Sequence, residues 1–366
     1  MALPALTIRD LKLRPVVLPM RRELATRVAV LSEAPLLLID LITEEGITGR
    51  AYLFGYLRRG LPHYAALLRD ILEMTRGDQV APRTLFEKVF KGMTLFGHQG
   101  LTTIALSGFD MACWDAMARA QGVPLAVLLG GEIGPIEAYN SNGLGLMGPS
   151  EVAAEAEELV AEGDFRAVKV RVGRATLAED LAVLRAVRQA VGDDILLPTD
   201  FNMGLTVAEA IRRGQAFDEE DVYWIEEPII YDDLEGNAKI SQEVATPIQI
   251  GENLYGPRAL AQALRAEAAD YYMPDAQRIG GVTGWLRAAA LCQAASIEMS
   301  SHTFPEISSH LLAVTPTRHL LEYVDWAEPV LQEPLKPKDG AVMIPDRPGT
   351  GIDWDEAAVK KYAVEI

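Results

Sequence analysis

The sequence predicts an α/β protein in which a closed barrel of parallel strands follows a smaller α+β region. Three observations predict it. From Ile136 onward, short apolar strands alternate with helical segments, the texture of a parallel sheet. Eight such strands can be read, which suits a closed barrel better than an open sheet. The chain, at 366 residues, is long enough for a barrel and a smaller partner domain.

The elements follow in order. APLLLIDLIT and GRAYLFGY read as strands joined by a turn at Glu45 and Gly46, with RRELATRVAVLSE before them as a loop. HYAALLRDILEMTRG and LTTIALSGFDMACWDAMARAQG space their apolar residues as helices do. The turn-rich GGEIGP, Gly130 to Pro135, closes this first region. The barrel strands then read IEAYNSN, RAVKVRVG, ILLPTDFN, VYWIEEP, PIQIGEN, YYMPDAQR, EMSSHTF and HLLEYVD. Helices such as DLAVLRAVRQAVG and GVTGWLRAAALCQAAS separate most of them, and capping boxes at Thr176–Glu179 and Thr206–Glu209 mark two helix starts. The expected division is a cap over 1–133, a barrel over 134–325 and a C-terminal segment, 326–366, packing back on the cap.

Composition narrows the function classes. Hydrophobic content of 49% and charged content of 23% are globular values. A net charge of -18 argues against nucleic acid and against an anionic membrane surface. It does not exclude anionic substrates, because a local cation can dominate a site. Cys113 and Cys292 lie in apolar helical stretches and read as buried free thiols. No signal peptide or membrane-spanning run is visible, so a soluble cytoplasmic protein is expected.

In a barrel, chemistry is expected at the C-terminal strand ends. Asp200 ends the third strand, Glu226 or Glu227 the fourth and Glu252 the fifth, with 26 residues from Asp200 to Glu226 and again to Glu252. Carboxylates converging on one rim repel unless a cation sits among them, and hard oxygen ligands suit Mg²⁺, with Mn²⁺ as an alternative. Spacing favours Glu226, while Glu227 faces the opposite way. In AVKVRVG the three valines share one face, which turns Lys169 and Arg171 into the barrel; these read either as an internal salt-bridge network or as functional cations.

Asp275 closes the sixth strand and His302 the seventh, so the carboxylate can fix the imidazole tautomer and raise its basicity. Glu322, near the end of the eighth strand, completes a polar ring. His63, His98, His310 and His319 carry no such signal. Gly143, Gly145 and Gly148 fit a dinucleotide-binding glycine pattern. The next strand, however, carries Lys169 and Arg171 where a ribose-binding acid is wanted, so the segment reads as a mobile barrel loop.

Together these segments resemble the enolase superfamily, and within it the mandelate racemase group. The likeness runs from APLLLIDL through GFDMACWDAMARAQGVPLAVLLGG to WIEEP, GENLYGP, MPDAQRIGGVTGW and SSHTFPEISSHLLAVTPTRHLLE. It implies a (β/α)7β TIM-like barrel with an N-terminal α+β capping domain. It also implies Mg²⁺ ligands at Asp200, Glu226 and Glu252, a base at His302 oriented by Asp275, an acid at Glu322 and a carboxylate-supporting lysine at Lys169. Asn202 is the implied contact to substrate, with Ser141, Tyr56, Leu24, Val28 and Leu31 completing the candidate substrate-binding set. A small-molecule carboxylate and a homo-oligomer are the implied partners.

The departure is Arg171, where mandelate racemases carry the lysine that acts on the opposite substrate face. Arginine holds its proton too firmly for a general base. The apolar lid residues favour a 2-hydroxycarboxylate racemase, with Lys169 as second base if its pKa is depressed beside the guanidinium. The alternative is an acid-sugar dehydratase in which His302 takes the alpha proton and a beta hydroxyl leaves. A non-catalytic carboxylate-binding member is the reading from another class.

Overall fold

The computed structural model describes residues 5–366. Ile8–Ala25 (β1) and Val30–Thr43 (β2) form a long antiparallel hairpin, and Thr48–Phe54 (β3) pairs with the far side of β2. The stretch 21–33 is therefore the hairpin tip and not a loop. Leu24 pairs with Leu31 and Ala25 with Val30, and Thr26 closes the turn through its N–H (2.8 Å) and hydroxyl (2.9 Å) to the Ala29 carbonyl. A register shift between Pro19 and Leu24 breaks the period-two alternation that would have revealed β1.

Helices Leu61–Thr75 (α1), Pro82–Gly92 (α2) and Leu101–Gln121 (α3) follow, and α2 went unread in the sequence. Almost every residue of α3 from Thr102 to Ala118 is buried, as a helix with apolar residues on all sides requires. A Cβ on Gly49 of β3 would overlap the Ala112 carbonyl of α3, so the close approach of sheet and helix needs glycine there. Two aspartates make α3 the junction of the molecule. Asp110 accepts from the N–H (2.8 Å) and hydroxyl (2.6 Å) of Thr283 in the barrel, and Asp115 from Arg50 N–H (2.7 Å) and Thr350 N–H (2.6 Å). The short Leu125–Leu128 (α4) leads out of the cap.

The barrel then runs Pro135–Asn140 (β4), Pro149–Ala161 (α5), Val170–Arg171 (β5), Leu177–Val191 (α6), Pro198–Asp200 (β6), Val207–Phe217 (α7), Trp224–Glu226 (β7), Leu234–Glu243 (α8), Ile248–Ile250 (β8), Gly256–Arg265 (α9), Tyr271–Tyr272 (β9), Gly281–Ala295 (α10), Pro305–Leu312 (α11) and Leu321–Tyr323 (β10). Parallel pairing runs from β5 to β9, and β10 closes onto β4. The expected seventh strand, EMSSHTF, pairs through isolated bridges from Met299 to Tyr272 and Arg318 and from His302 to Asp275, with Ser301 N–H on the Leu320 carbonyl at 3.1 Å. With α5 to α11 between the strands, this is the (β/α)7β barrel. The capping box at Thr176 forms in full, but at Thr206 only half forms, because the Glu209 carboxylate pairs with Arg212 (2.6 Å) and Arg213 (2.6 Å) instead.

The segment after β10 divides its contacts. Pro337–Lys338 (β11) and Ala341–Met343 (β12) form a hairpin, with β12 antiparallel to β4. Glu356–Tyr362 (α12) lies by β1, where Glu356 meets Arg14 at 2.7 Å. Cys113 and Cys292 are free and buried. Among the described residues no helix is long and apolar enough to cross a membrane.

Candidate active site

Strand alternation delivers the two cations of β5 to the interior, with Lys169 at 1% and Arg171 at 3% exposure. Lys169 Nζ lies 2.5 Å from Glu226 Oε1, 2.6 Å from Glu322 Oε1 and 3.5 Å from Asp200 Oδ2. Burial opposes the lysine's charge, but these carboxylates outweigh it and raise its pKa. A depressed pKa beside Arg171 is therefore not what the site provides. Burial pushes the Glu226 carboxyl up, with Lys169 opposing. Of the two glutamates, Glu226 faces the interior ring. Glu227 instead accepts from Gly251 N–H (3.0 Å) and Asn253 Nδ2 (3.3 Å), and burial raises it to about 8.

Among the described residues, Arg171 bonds to a loop and pairs with no carboxylate. It donates to the carbonyls of Ser141 (3.0 Å) and Gly143 (2.7 Å) and to Ser141 Oγ (2.8 Å). Ser141 Oγ in turn donates to Glu322 Oε1 at 2.7 Å. The guanidinium thus braces the loop after β4, and Arg174 adds bonds to the carbonyls of Gly145 (3.2 Å) and Met147 (2.8 Å). The glycine-patterned loop is held by hydrogen bonds from both arginines to its backbone carbonyls. Glu322 receives donors at both oxygens, with Thr303 N–H at 2.8 Å on the second. Burial opposes its charge, yet Lys169 and His302 hold it down at about 2. As it stands it is an acceptor, whereas the acid role asks for a proton.

His302 and Asp275 meet as the strand ends suggest, Nδ1 to Oδ2 at 2.7 Å, while Gln277 N–H fixes the other Asp275 oxygen at 2.7 Å. His302 Nε2 faces Glu252 Oε2 at 3.1 Å. Burial works against the imidazolium, but Glu252, Glu322 and Asp275 carry its pKa well above the usual value. Non-glycine residues with left-handed backbone follow these groups: Asn202 (φ 46°), Glu227 (φ 41°) and Thr303 (φ 47°). Such strain persists where surrounding structure fixes a site.

Among the described residues, no three His, Cys, Asp or Glu side chains form a ready-made metal cluster. The oxygens of Asp200, Glu226 and Glu252 turn to Lys169 and His302 instead. The donor set still fits a hard cation. Asn202 gives its N–H (2.7 Å) and Nδ2 (2.9 Å) to Asp200, leaving its own buried Oδ1 without a partner. An orphaned acceptor beside an all-oxygen set is what Mg²⁺ satisfies and what a dry core would avoid.

The lid differs from expectation. Leu24 is buried, but Val28 and Val30 are 63% and 61% exposed, so they do not close an apolar roof over the rim. The hairpin tip turns them outward while Leu146 N–H anchors to the Ala25 carbonyl at 2.8 Å. Leu31 is half-buried. Tyr56 stacks 4.7 Å from Arg278, a 7%-exposed cation that the sequence reading passed over, although it lies only three residues beyond Asp275.

A closed barrel whose rim gathers buried acids, cations and a His–Asp pair beneath an α+β cap is the architecture of a barrel enzyme. The chain belongs to the mandelate racemase and muconate lactonizing enzyme family of the enolase superfamily. Residues 8–130 match the family's N-terminal domain, and residues 151–358 match the enolase C-terminal domain-like model. The L-talarate/galactarate dehydratase of Salmonella typhimurium is 30% identical over 328 residues, 90% of this chain and 82% of that protein. A solved enolase from alpha proteobacterium bal199 with bound magnesium is 48% identical (TM-score 0.96), covering 98% of this chain and 100% of that one. A solved Bradyrhizobium enolase complexed with magnesium and mandelic acid is 41% identical (TM-score 0.95), covering 100% of each chain.

Proposed function

We propose that this protein is a Mg²⁺-dependent acid-sugar dehydratase that uses one base, His302, to remove the proton alpha to a carboxylate. The observation that carries the choice is the commitment of Arg171 to Ser141 and Gly143 by three hydrogen bonds. No titratable amine is offered from that position to the second substrate face. Lys169, the other candidate, is occupied by carboxylates. The dehydratase relative supports the same reaction class.

Asp200, Glu226 and Glu252 would hold the ion, with Asn202 Oδ1 free to meet the ion or the substrate. When bound, Mg²⁺ supplies Lewis-acid charge for the negative charge that grows on the substrate carboxylate. Lys169 adds a fixed positive charge from below. Asp275 holds the Nδ1 proton of His302, and Nε2, which faces Glu252 Oε2 here, would accept the alpha proton once that contact is given up. The C–H electron pair would delocalise first into the substrate carboxylate, as an enediolate, and then become the carbon–carbon double bond of an enol. The beta C–O bond breaks, and the hydroxyl leaves as water with the proton from His302. Tautomerisation of the enol gives an alpha-keto acid.

Racemisation is the second reading, favoured by the mandelic acid in the 41%-identical structure. One assay separates the two: purified protein with Mg²⁺ is incubated with aldonates, aldarates and mandelate, and keto acid and optical rotation are followed. Dehydration predicts keto acid from at least one sugar acid. Racemised mandelate with no keto acid from any sugar acid would replace the proposal.

A further inference from the structure

Arg278 is a buried cation that the proposed chemistry leaves unused, and its surroundings are built from both domains. Its Nη1 donates to the Glu252 carbonyl at 2.9 Å and lies 3.9 Å from both Glu252 Oε1 and Asp275 Oδ2. Those two carboxylates are the groups that face the two nitrogens of His302. One guanidinium therefore balances both from behind, without touching the imidazole. Its own backbone is fixed in the same turn, with Arg278 N–H on the Asp275 carbonyl (3.0 Å) and Gly256 N–H on the Arg278 carbonyl (3.0 Å).

The cap supplies the other face. The Tyr56 ring covers the guanidinium at 4.7 Å and packs on Phe54 at 4.4 Å. Tyr56 holds a left-handed backbone, φ 54°, which an aromatic residue adopts only when its surroundings require it. Its hydroxyl and Arg278 Nε are both buried without partners, so the pair is a stacking contact and not a hydrogen bond. Excluding water from a guanidinium strengthens both its attraction to the ring and its hold on nearby carboxylates. A second thread runs parallel: Phe54 N–H donates to Gln277 Oε1 at 3.0 Å, and Gln277 N–H donates to Asp275.

We infer that Arg278 is a positioning residue through which the cap, by way of Tyr56, fixes Glu252 and Asp275 about His302. This rests on the His302–Asp275 pair being the proton-transfer unit proposed above. The test uses the full-length protein with Mg²⁺ and whichever sugar acid it turns over. Arg278→Gln and Tyr56→Leu should each lower kcat between about tenfold and a hundredfold, the cost of small misplacement, with KM held within about twofold. Tyr56→Phe, which keeps the stack, should retain more activity than Tyr56→Leu, and Arg278→Lys more than Arg278→Gln. The double variant should be little worse than Arg278→Gln, because the two act as one unit. Mg²⁺ affinity measured by calorimetry should fall in Arg278→Gln as Glu252 loses its anchor.

If Arg278→Gln fails to fold, the Tyr56 pair decides alone. An unchanged kcat in Tyr56→Leu, a rise in KM with kcat untouched, or additive losses would each overturn the inference. A fully active His302→Asn would instead overturn the proposed function. An inactive His302→Asn beside an unaffected Tyr56→Leu would remove this inference only.

Discussion

His302 and His319 lie at opposite ends of the same barrel interior. At the rim, His302 touches Asp275 and Glu252, and those charges carry its pKa upward against burial. At the floor, His319 is hydrogen-bonded to Tyr223 Oη (2.8 Å) and Ser300 Oγ (3.1 Å) and ringed by Tyr223, Trp224 and Tyr271. Burial there lowers its pKa. His319 finds a neutral hydrogen-bond partner at each ring nitrogen. The rim keeps charges facing one another and leaves Asn202 Oδ1 unpaired. Charges gathered in this way have a use when a cation or an anionic ligand binds among them, which is the expectation at the C-terminal rim of a barrel.

The largest effect should come from the carboxylate rim. Asp200→Asn is expected to abolish turnover and weaken Mg²⁺ binding in a calorimetric titration, with the folded far-ultraviolet spectrum retained. Wild-type turnover in that variant, or in a chelated sample, would contradict the metal assignment. Next, His302→Asn and Asp275→Asn should each cost at least about a hundredfold in kcat, and the double variant little more than either. His319→Gln should instead act on stability by about 1–2 kcal/mol and leave kcat near the parent value. If the two histidines lose catalysis equally, the contrast between the ends fails.

A smaller, pH-dependent effect sharpens the contrast. Glu306 is buried under the cap with Tyr52 Oη at 2.6 Å, and burial raises its pKa to about 7 from 4.5. A carboxyl raised on folding contributes stability below pH 4.5 that is lost as pH climbs through about 7. The loss amounts to about 3 kcal/mol by the usual conversion. Glu306→Gln should flatten that decline, measured as urea stability between pH 5 and pH 8. An unchanged slope would assign the alkaline loss elsewhere, with Asp110, raised in the same direction to about 7 by burial, as the next group to test.

The rim was the legible part of this sequence because a strand end, a period of two and a repeat of 26 residues all act on the same few side chains. Lys169 and Arg171 could be turned inward from the valines between them, and Asp275 could be paired with His302 from strand order. What Arg171 binds could not be read, since its partners are the carbonyls of Ser141 and Gly143 and backbone atoms leave no mark in residue identity. The same holds for β1, whose pairing is interrupted by a register shift, and for the half-formed box at Thr206, where two arginines compete for Glu209. Arg278 escaped notice because its partner Tyr56 lies more than two hundred residues away in the cap.

The central claim is that a single base, His302, works on one face of the substrate. Hydrogen exchange at the alpha carbon in D₂O, followed by proton NMR for both configurations of a turned-over acid, tests it most directly. One-base chemistry predicts deuterium in one configuration only, and none in either with His302→Asn. Exchange of both configurations, with the second surviving in His302→Asn, would contradict it.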